Sequence, residues 1–194
     1  KEPNNLSGVD LYQWENYCKA KILYQYGGVI LEPYFFFIKN PDKSILNSYN
    51  LKILRNVNEG LNISENKLIP NINYFMSSNA KNRDLELYIK YLEYKCINHY
   101  SVDDNFFDKK STNLYNLNYF DPKFMGIVDQ ENNIVEIRNL LSKKEILLDN
   151  SCFCLFINIP FLKKYTQYGY VLKMNEEQIK NMNCFIGEFI KLNS

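Results

Sequence analysis

The sequence predicts an α/β fold, a mixed and mostly parallel sheet flanked by helices. Three observations carry that prediction. Short apolar runs alternate with segments whose apolar residues recur every three or four positions. A glycine pair, Gly27-Gly28, separates the first helical segment from the first apolar run. The chain has 194 residues, 46% of them apolar, which is long enough to enclose a core and too apolar for disorder.

Residues 1–9 read as a lead-in loop, and Asp10 as the N-cap of a helix over 11–25. Leu11, Trp14, Cys18 and Ile22 fall three or four apart and form its expected buried stripe. Gly27 and Gly28 supply the left-handed residue that stops it. Residues 29–31 read as a buried strand, and Phe35-Phe36-Phe37-Ile38 as its continuation past a kink at Pro33. That phenylalanine run belongs to a core or forms an edge that needs a partner.

A turn at Asn40-Pro41-Asp42 leads to a short helix over 42–49 and a strand over 51–54. The stretch 55–70, rich in Asn and Glu, reads as an exposed loop with one brief strand. Residues 71–78 read as a strand. A strong helix over 83–98 carries the stripe Leu85, Tyr88, Ile89, Leu92 and Cys96. Residues 101–123 carry no clear pattern. A hairpin is predicted from 126–128 and 134–137 around a turn at 129–133. A short helix near 139–146 precedes a strand over 152–157. Pro160 opens a helix that stops near Gly169. The last helix, 176–191, starts at Asn175 with Gln178 three residues on, the spacing of a capping box. The whole reads as one domain, with a core over 1–100 and a C-terminal part over 101–194.

Charge and cysteine usage narrow the function classes. With 23 basic and 22 acidic residues the net charge is +1, so nothing electrostatic favours a nucleic acid or an anionic membrane as partner. No run approaches the roughly 18 apolar residues of a membrane span, and no signal peptide is visible. The 5 cysteines are odd in number and scattered, a poor disulfide framework. With 1 histidine in the chain, a zinc site is disfavoured and a reducing, cytoplasmic setting is expected. Abundant Asn, Lys, Ile and Tyr fit an A/T-rich genome, and a viral source would place the chain in the host cytoplasm or the virion. The chain begins with Lys1 and reads as a fragment or a processed piece.

The run Ile22-Leu23-Tyr24-Gln25-Tyr26-Gly27-Gly28-Val29-Ile30-Leu31-Glu32-Pro33-Tyr34 resembles the sugar-nucleotide core of glycosyltransferases with a DXD motif. There the stretch reads I-L-Y-x-Y-G-G-V-Y-L-D-x-D. Asn71-Ile72-Asn73-Tyr74-Phe75-Met76-Ser77-Ser78-Asn79-Ala80 is similar to the strand that lines the acceptor side in that family, followed by a helix like 83–98. The stretch from Tyr168-Gly169-Tyr170 through Gln178 is similar to glycosyltransferase-like proteins of large DNA viruses. The resemblance implies a GT-A-like, Rossmann-related fold and transfer of a sugar from a UDP- or GDP-sugar to an unknown acceptor. It also implies Mn²⁺ or Mg²⁺ as cofactor, because the diphosphate leaving group needs its charge neutralised.

Carried over residue by residue, the resemblance assigns Asn16, Lys19, Gly28, Glu32 and Tyr34 to the nucleotide-sugar site and Glu32 to the metal. Four of these depart from the family. Glu32 and Tyr34 stand where the two Asp residues of the motif are found. Asn16 and Lys19 stand where the family has an Asp and, three residues on, an Arg. A phenol is a poor ligand for a hard cation, and an ammonium lacks the fork of a guanidinium. Only 31 residues precede Glu32, so the N-terminal βαβ unit of a GT-A fold is expected to be missing or to lie outside this stretch.

Each residue also has a plainer reading. Gly27-Gly28 serves a helix C-cap, Lys19 a solvated helix face, Glu32 a solvated strand end and Trp14 a core anchor. Asp103-Asp104 caps a helix, or offers a replacement acidic site or a catalytic base, and His99 is a candidate catalytic base with no partner marked in the sequence. Two functions are therefore expected. One is a glycosyltransferase using a nucleoside-diphosphate sugar. The other is a catalytically inactive homologue kept as a structural or binding protein, such as a component of a viral particle, with another protein chain as partner.

Overall fold

A computed structural model describes residues 8–42, 50–58, 67–98 and 118–193. The short helix expected over 42–49, and the positions of His99, Asp103 and Asp104, lie outside the described residues. The chain divides into two compact units. One comprises residues 1–32, 41–55 and 70–120, and the other residues 33–40, 56–69 and 121–194.

The first unit opens with α1, Gly8–Tyr26. The segment has no proline, and of its residues only Val9 and Ile22 are β-branched, so little opposes a helix. It begins at Gly8, which places Asp10 inside the first turn and not at the cap. The helix runs into β1, Gly28–Leu31. β3, Lys52–Asn58, and β4, Lys67–Ser78, follow, and then α2, Arg83–Ile97. The short strand β5 is Asn118–Phe120. These strands form one sheet in the order β1-β4-β3-β5. β1 lies antiparallel to β4, with Gly28 opposite Ser78 and Leu31 opposite Phe75. β5 lies parallel to β3, with Lys52 opposite Asn118. The sheet is therefore mixed, as expected, with one antiparallel and one parallel pairing among the described residues. Residues 55–70, expected as an exposed loop with one brief strand, contribute the end of β3 and the start of β4.

The core of this unit forms between helices and sheet. Ala20 and Leu23 of α1 meet Leu85, Tyr88, Ile89 and Leu92 of α2 over Leu51, Ile53 and Met76. The stripe expected on α2 is buried at Leu85, Tyr88, Ile89 and Leu92. The stripe expected on α1 is wrong. Leu11 and Ile22 are exposed, whereas Gln13, Asn16, Ala20 and Leu23 are buried. Both sets keep three-to-four spacing. The buried set places small Ala20 against α2, the main packing partner of α1, and a small side chain permits that approach.

The second unit contains β2, Phe35–Phe37, and β6, Cys154–Phe156. They pair antiparallel, with Phe35 opposite Phe156 and Phe37 opposite Cys154. The phenylalanine run thus forms a separate two-stranded sheet and does not continue β1. Its partner is in the same chain. Rings reinforce the ladder, Phe35 on Phe156 at 5.4 Å and Phe37 on Phe153 at 6.2 Å between centroids.

The described part of residues 121–194 in this unit otherwise holds short helices. They are a 3₁₀ helix at Pro122–Met125, α3 at Ile137–Leu140, α4 at Ile159–Lys164, α5 at Thr166–Gly169, a 3₁₀ helix at Tyr170–Lys173, α6 at Glu176–Lys180 and α7 at Phe185–Asn193. The predicted hairpin shrinks to a single bridge, Val128 opposite Ile134. The Asp129 carboxylate holds the turn by accepting from the backbone N–H of Glu131 and Asn133 at 2.9 and 2.8 Å. Ile137 then enters α3, because Asn139 Oδ1 accepts from the N–H of Glu136 at 2.8 Å. The helix expected from Pro160 to Gly169 breaks at Tyr165, and the last predicted helix breaks between Lys180 and Phe185. The capping box at its start is present, with Asn175 and Gln178 bonded reciprocally at 2.9 Å. Val135, Ile137, Leu140, Phe161, Leu162, Ile186 and Ile190 are among the buried residues of this second core.

Candidate functional site

The end of α1 and the whole of β1 position the residues that the resemblance selects. Gly27 terminates α1. Its N–H donates to Leu23 O at 2.8 Å, and its φ of +69° is the left-handed conformation of a helix C-cap. A Cβ at Gly27 would sit 2.7 Å from Ala80 N, so the turn also needs the missing side chain. Gly28 has φ +107° and opens β1 opposite Ser78. No atom lies within 4 Å of where its Cβ would be. The structural role of the glycine pair is therefore visible in the backbone.

β1 carries the chain to Glu32, whose N–H donates to Tyr74 O at 3.1 Å and extends the pairing with β4 by one residue. The Glu32 side chain returns toward α1. Lys19 Nζ forms an ion pair and hydrogen bond with Glu32 Oε1. Both side chains are partly shielded, 30% and 21% exposed. Thus two of the five selected residues meet directly, and the only carboxylate among them already has a cation on it.

Asn16 lies one turn before Lys19 on α1 and is 3% exposed. Among the described residues its buried Nδ2 has no hydrogen-bond partner, nor does Oε1 of Gln13, three residues earlier on the same face. Tyr34 belongs to the second unit. Its backbone carbonyl accepts from Ile157 N at 2.7 Å beside β6.

Around this group, Tyr17 OH donates to Glu93 Oε1 of α2 at 2.8 Å. Burial first, then the bond to and charge of Glu93, push the Tyr17 phenol up to about 12. It remains a neutral donor that ties α1 to α2. The cysteines offer no reactive centre at β6. Burial pushes the Cys152 thiol up to about 11 and raises Cys154 further, so both stay protonated and serve as small core groups.

The residues present do not fit a Mn²⁺ or Mg²⁺ ion. A hard divalent cation needs several oxygen ligands, usually with at least one free carboxylate. Glu32 has Lys19 on it, and Tyr34 brings a phenol. Among the described residues, no group of three or more His, Cys, Asp or Glu could hold a metal ion. No helix among them is long and apolar enough to cross a membrane.

Reading the sequence missed Gln13 as a neighbour of Asn16 in the interior. The signal was the spacing Gln13, Asn16, Ala20, Leu23, which is as helical as the apolar stripe but begins with two amides. Glu136, 6% exposed, was missed as well. Arg138 Nη2 pairs with it at 2.7 Å, and the alternation of acid and base around one apolar position gave no helical signal. No protein-family model, curated protein or solved structure matches the chain.

Proposed function

We propose that this chain is a glycosyltransferase-like protein that has given up metal-dependent sugar transfer and acts as a binding or structural protein. The observation that carries this reading is the Lys19–Glu32 pair. In the family that the sequence resembles, the strand-end carboxylate faces a metal-bound diphosphate. Here the corresponding carboxylate faces an ammonium of the same chain. A divalent cation at Glu32 would have to displace Lys19 or share its oxygens with a like charge 1 side chain away. Tyr34 contributes no second carboxylate. The partner of such a protein is another protein chain, and no residue needs to be assigned a chemical step.

One observation favours the other reading, transfer from a UDP- or GDP-sugar. Lys19 keeps a partly exposed cation on the helix where the family binds its nucleotide sugar.

Thermal unfolding of the chain with UDP- and GDP-sugars, with and without Mn²⁺, separates the two readings. The expected outcome is no Mn²⁺-dependent rise in Tm, and the same result for Glu32→Ala. A rise of several degrees that requires Mn²⁺ and disappears in Glu32→Ala would overturn the binding-protein reading. Lys19→Ala sharpens the test. It frees the Glu32 carboxylate, so weak Mn²⁺ binding appearing only in that variant supports the pair as the obstacle.

A further inference from the structure

The second unit holds a pocket of about 360 Å³ between α4, the 3₁₀ helix Tyr170–Lys173, α6 and α7. Leu162, Val171, Ile186 and Ile190 line it and are buried, while Leu172, 41% exposed, stands at its mouth. Among the described residues the only charged one in the lining is Glu176, and Lys180 Nζ already lies 2.8 Å from its carboxylate. Among the described residues the other lining side chains are hydrocarbon.

The pocket opens to solvent yet its walls are almost wholly hydrocarbon, which favours an occupant that itself leaves water. Water is a poor one. At roughly 30 Å³ each, about a dozen molecules would fit, and nearly all would face hydrocarbon with no polar partner. An apolar molecule loses no hydrogen bonds there and leaves water. Capacity sets its size. A cavity of about 150 Å³ lined by Leu, Ile and Phe takes one benzene, so this pocket has room for about a dozen carbons. The lining sets its head group. Glu176 and Lys180 neutralise each other at the rim, which leaves neither to pair with an ionised head.

We propose that this pocket binds a medium-length aliphatic chain, about ten carbons, that ends in an uncharged polar group. It is open to such a ligand from the side of Leu172 and Glu176. The site is independent of the α1–β1 region and of any reading of Glu32.

The test is thermal unfolding and titration calorimetry of the full chain with 1-decanol, 1-butanol and decanoate. 1-Decanol is expected to raise Tm by on the order of 5 °C at saturation, 1-butanol to have little effect, and decanoate to bind at least about tenfold more weakly. Ile179→Trp puts a ring into the pocket, and Leu172→Asp places a charge at its exposed mouth. Each is expected to abolish the 1-decanol effect. Should Ile179→Trp fail to fold, Leu172→Asp decides, because an exposed position tolerates the change. No shift with 1-decanol, an equal shift in the variants, or tighter binding of decanoate overturns the proposal. So does a sedimentation result in which the chain dimerises over this pocket, Leu172→Asp dissociates the dimer and 1-decanol has no effect.

Discussion

Asn16 shows how one residue ties sequence to structure and function. Its position on α1 was legible by alignment on Gly27-Gly28, but its burial was not. An amide looks like a surface group, and only tertiary packing makes that face of α1 internal. A buried donor without a partner costs about 1–3 kcal/mol, and Asn is a poorer helix former than Ala. Asn16→Ala is therefore expected to raise stability by about 1 kcal/mol in urea unfolding; a loss of that size would mean that the amide has a partner. Natural residues that cost stability are often kept for function, so the same variant belongs in the nucleotide-sugar titration. Gly27 gives the opposite case, because its chemistry is local and was legible from the sequence. Its left-handed φ and the 2.7 Å approach to Ala80 N act together. Gly27→Ala should cost about 2–3 kcal/mol. Gly28→Ala, strained in φ but free of close contacts, should cost less in the same urea assay.

Elements were readable where short-range chemistry defines them. α2 has a stripe, and its cap is a single side chain. Asn82 Oδ1 accepts from the N–H of Asp84 and Leu85 at 2.9 and 3.1 Å. Asn82→Ala leaves both donors without that oxygen and is expected to lower stability by about 1 kcal/mol, while Asn82→Asp or Asn82→Ser retains most of it. An equal loss in all three variants would mean that the amide acts through packing. Where an element depends on a distant partner, the sequence was silent. Nothing local tells Phe35–Phe37 that its partner is Cys154–Phe156, more than a hundred residues on, or that Asn118–Phe120 will lie parallel to the start of β3. The break at Tyr165 was hidden for another reason. The apolar spacing continues across it, no proline or glycine marks the backbone turn, and the Phe161 ring meets those of Tyr165 and Tyr168 at 4.5 and 5.5 Å between centroids.

At the scale of the whole molecule, each unit is assembled from separate stretches of chain, and this makes folding non-local. The second unit takes residues 33–40 from early in the sequence and 121–194 from its end. Among the described residues its sheet has two strands, β2 and β6, so removing the early stretch takes away the strand that pairs with β6. All three residues of β6 are buried, and Phe36 packs on the surrounding core. A fragment of residues 121–194 would therefore expose an apolar strand with unpaired backbone groups, which is both destabilising and prone to association. Such a fragment is expected to retain some helix in far-ultraviolet circular dichroism but to melt without a cooperative transition, or to aggregate. A peptide of residues 33–40 added in excess, by restoring the β2–β6 pairs and the Phe35–Phe156 and Phe37–Phe153 ring contacts, should recover part of the cooperativity, with Phe36→Asp in the peptide preventing it. A fragment that melts sharply on its own would show that α3 to α7 make a sufficient core without the sheet. It would then follow that the first 120 residues, which carry Asn16, Lys19, Gly28, Glu32 and Tyr34, were joined to a self-sufficient module and not folded with it.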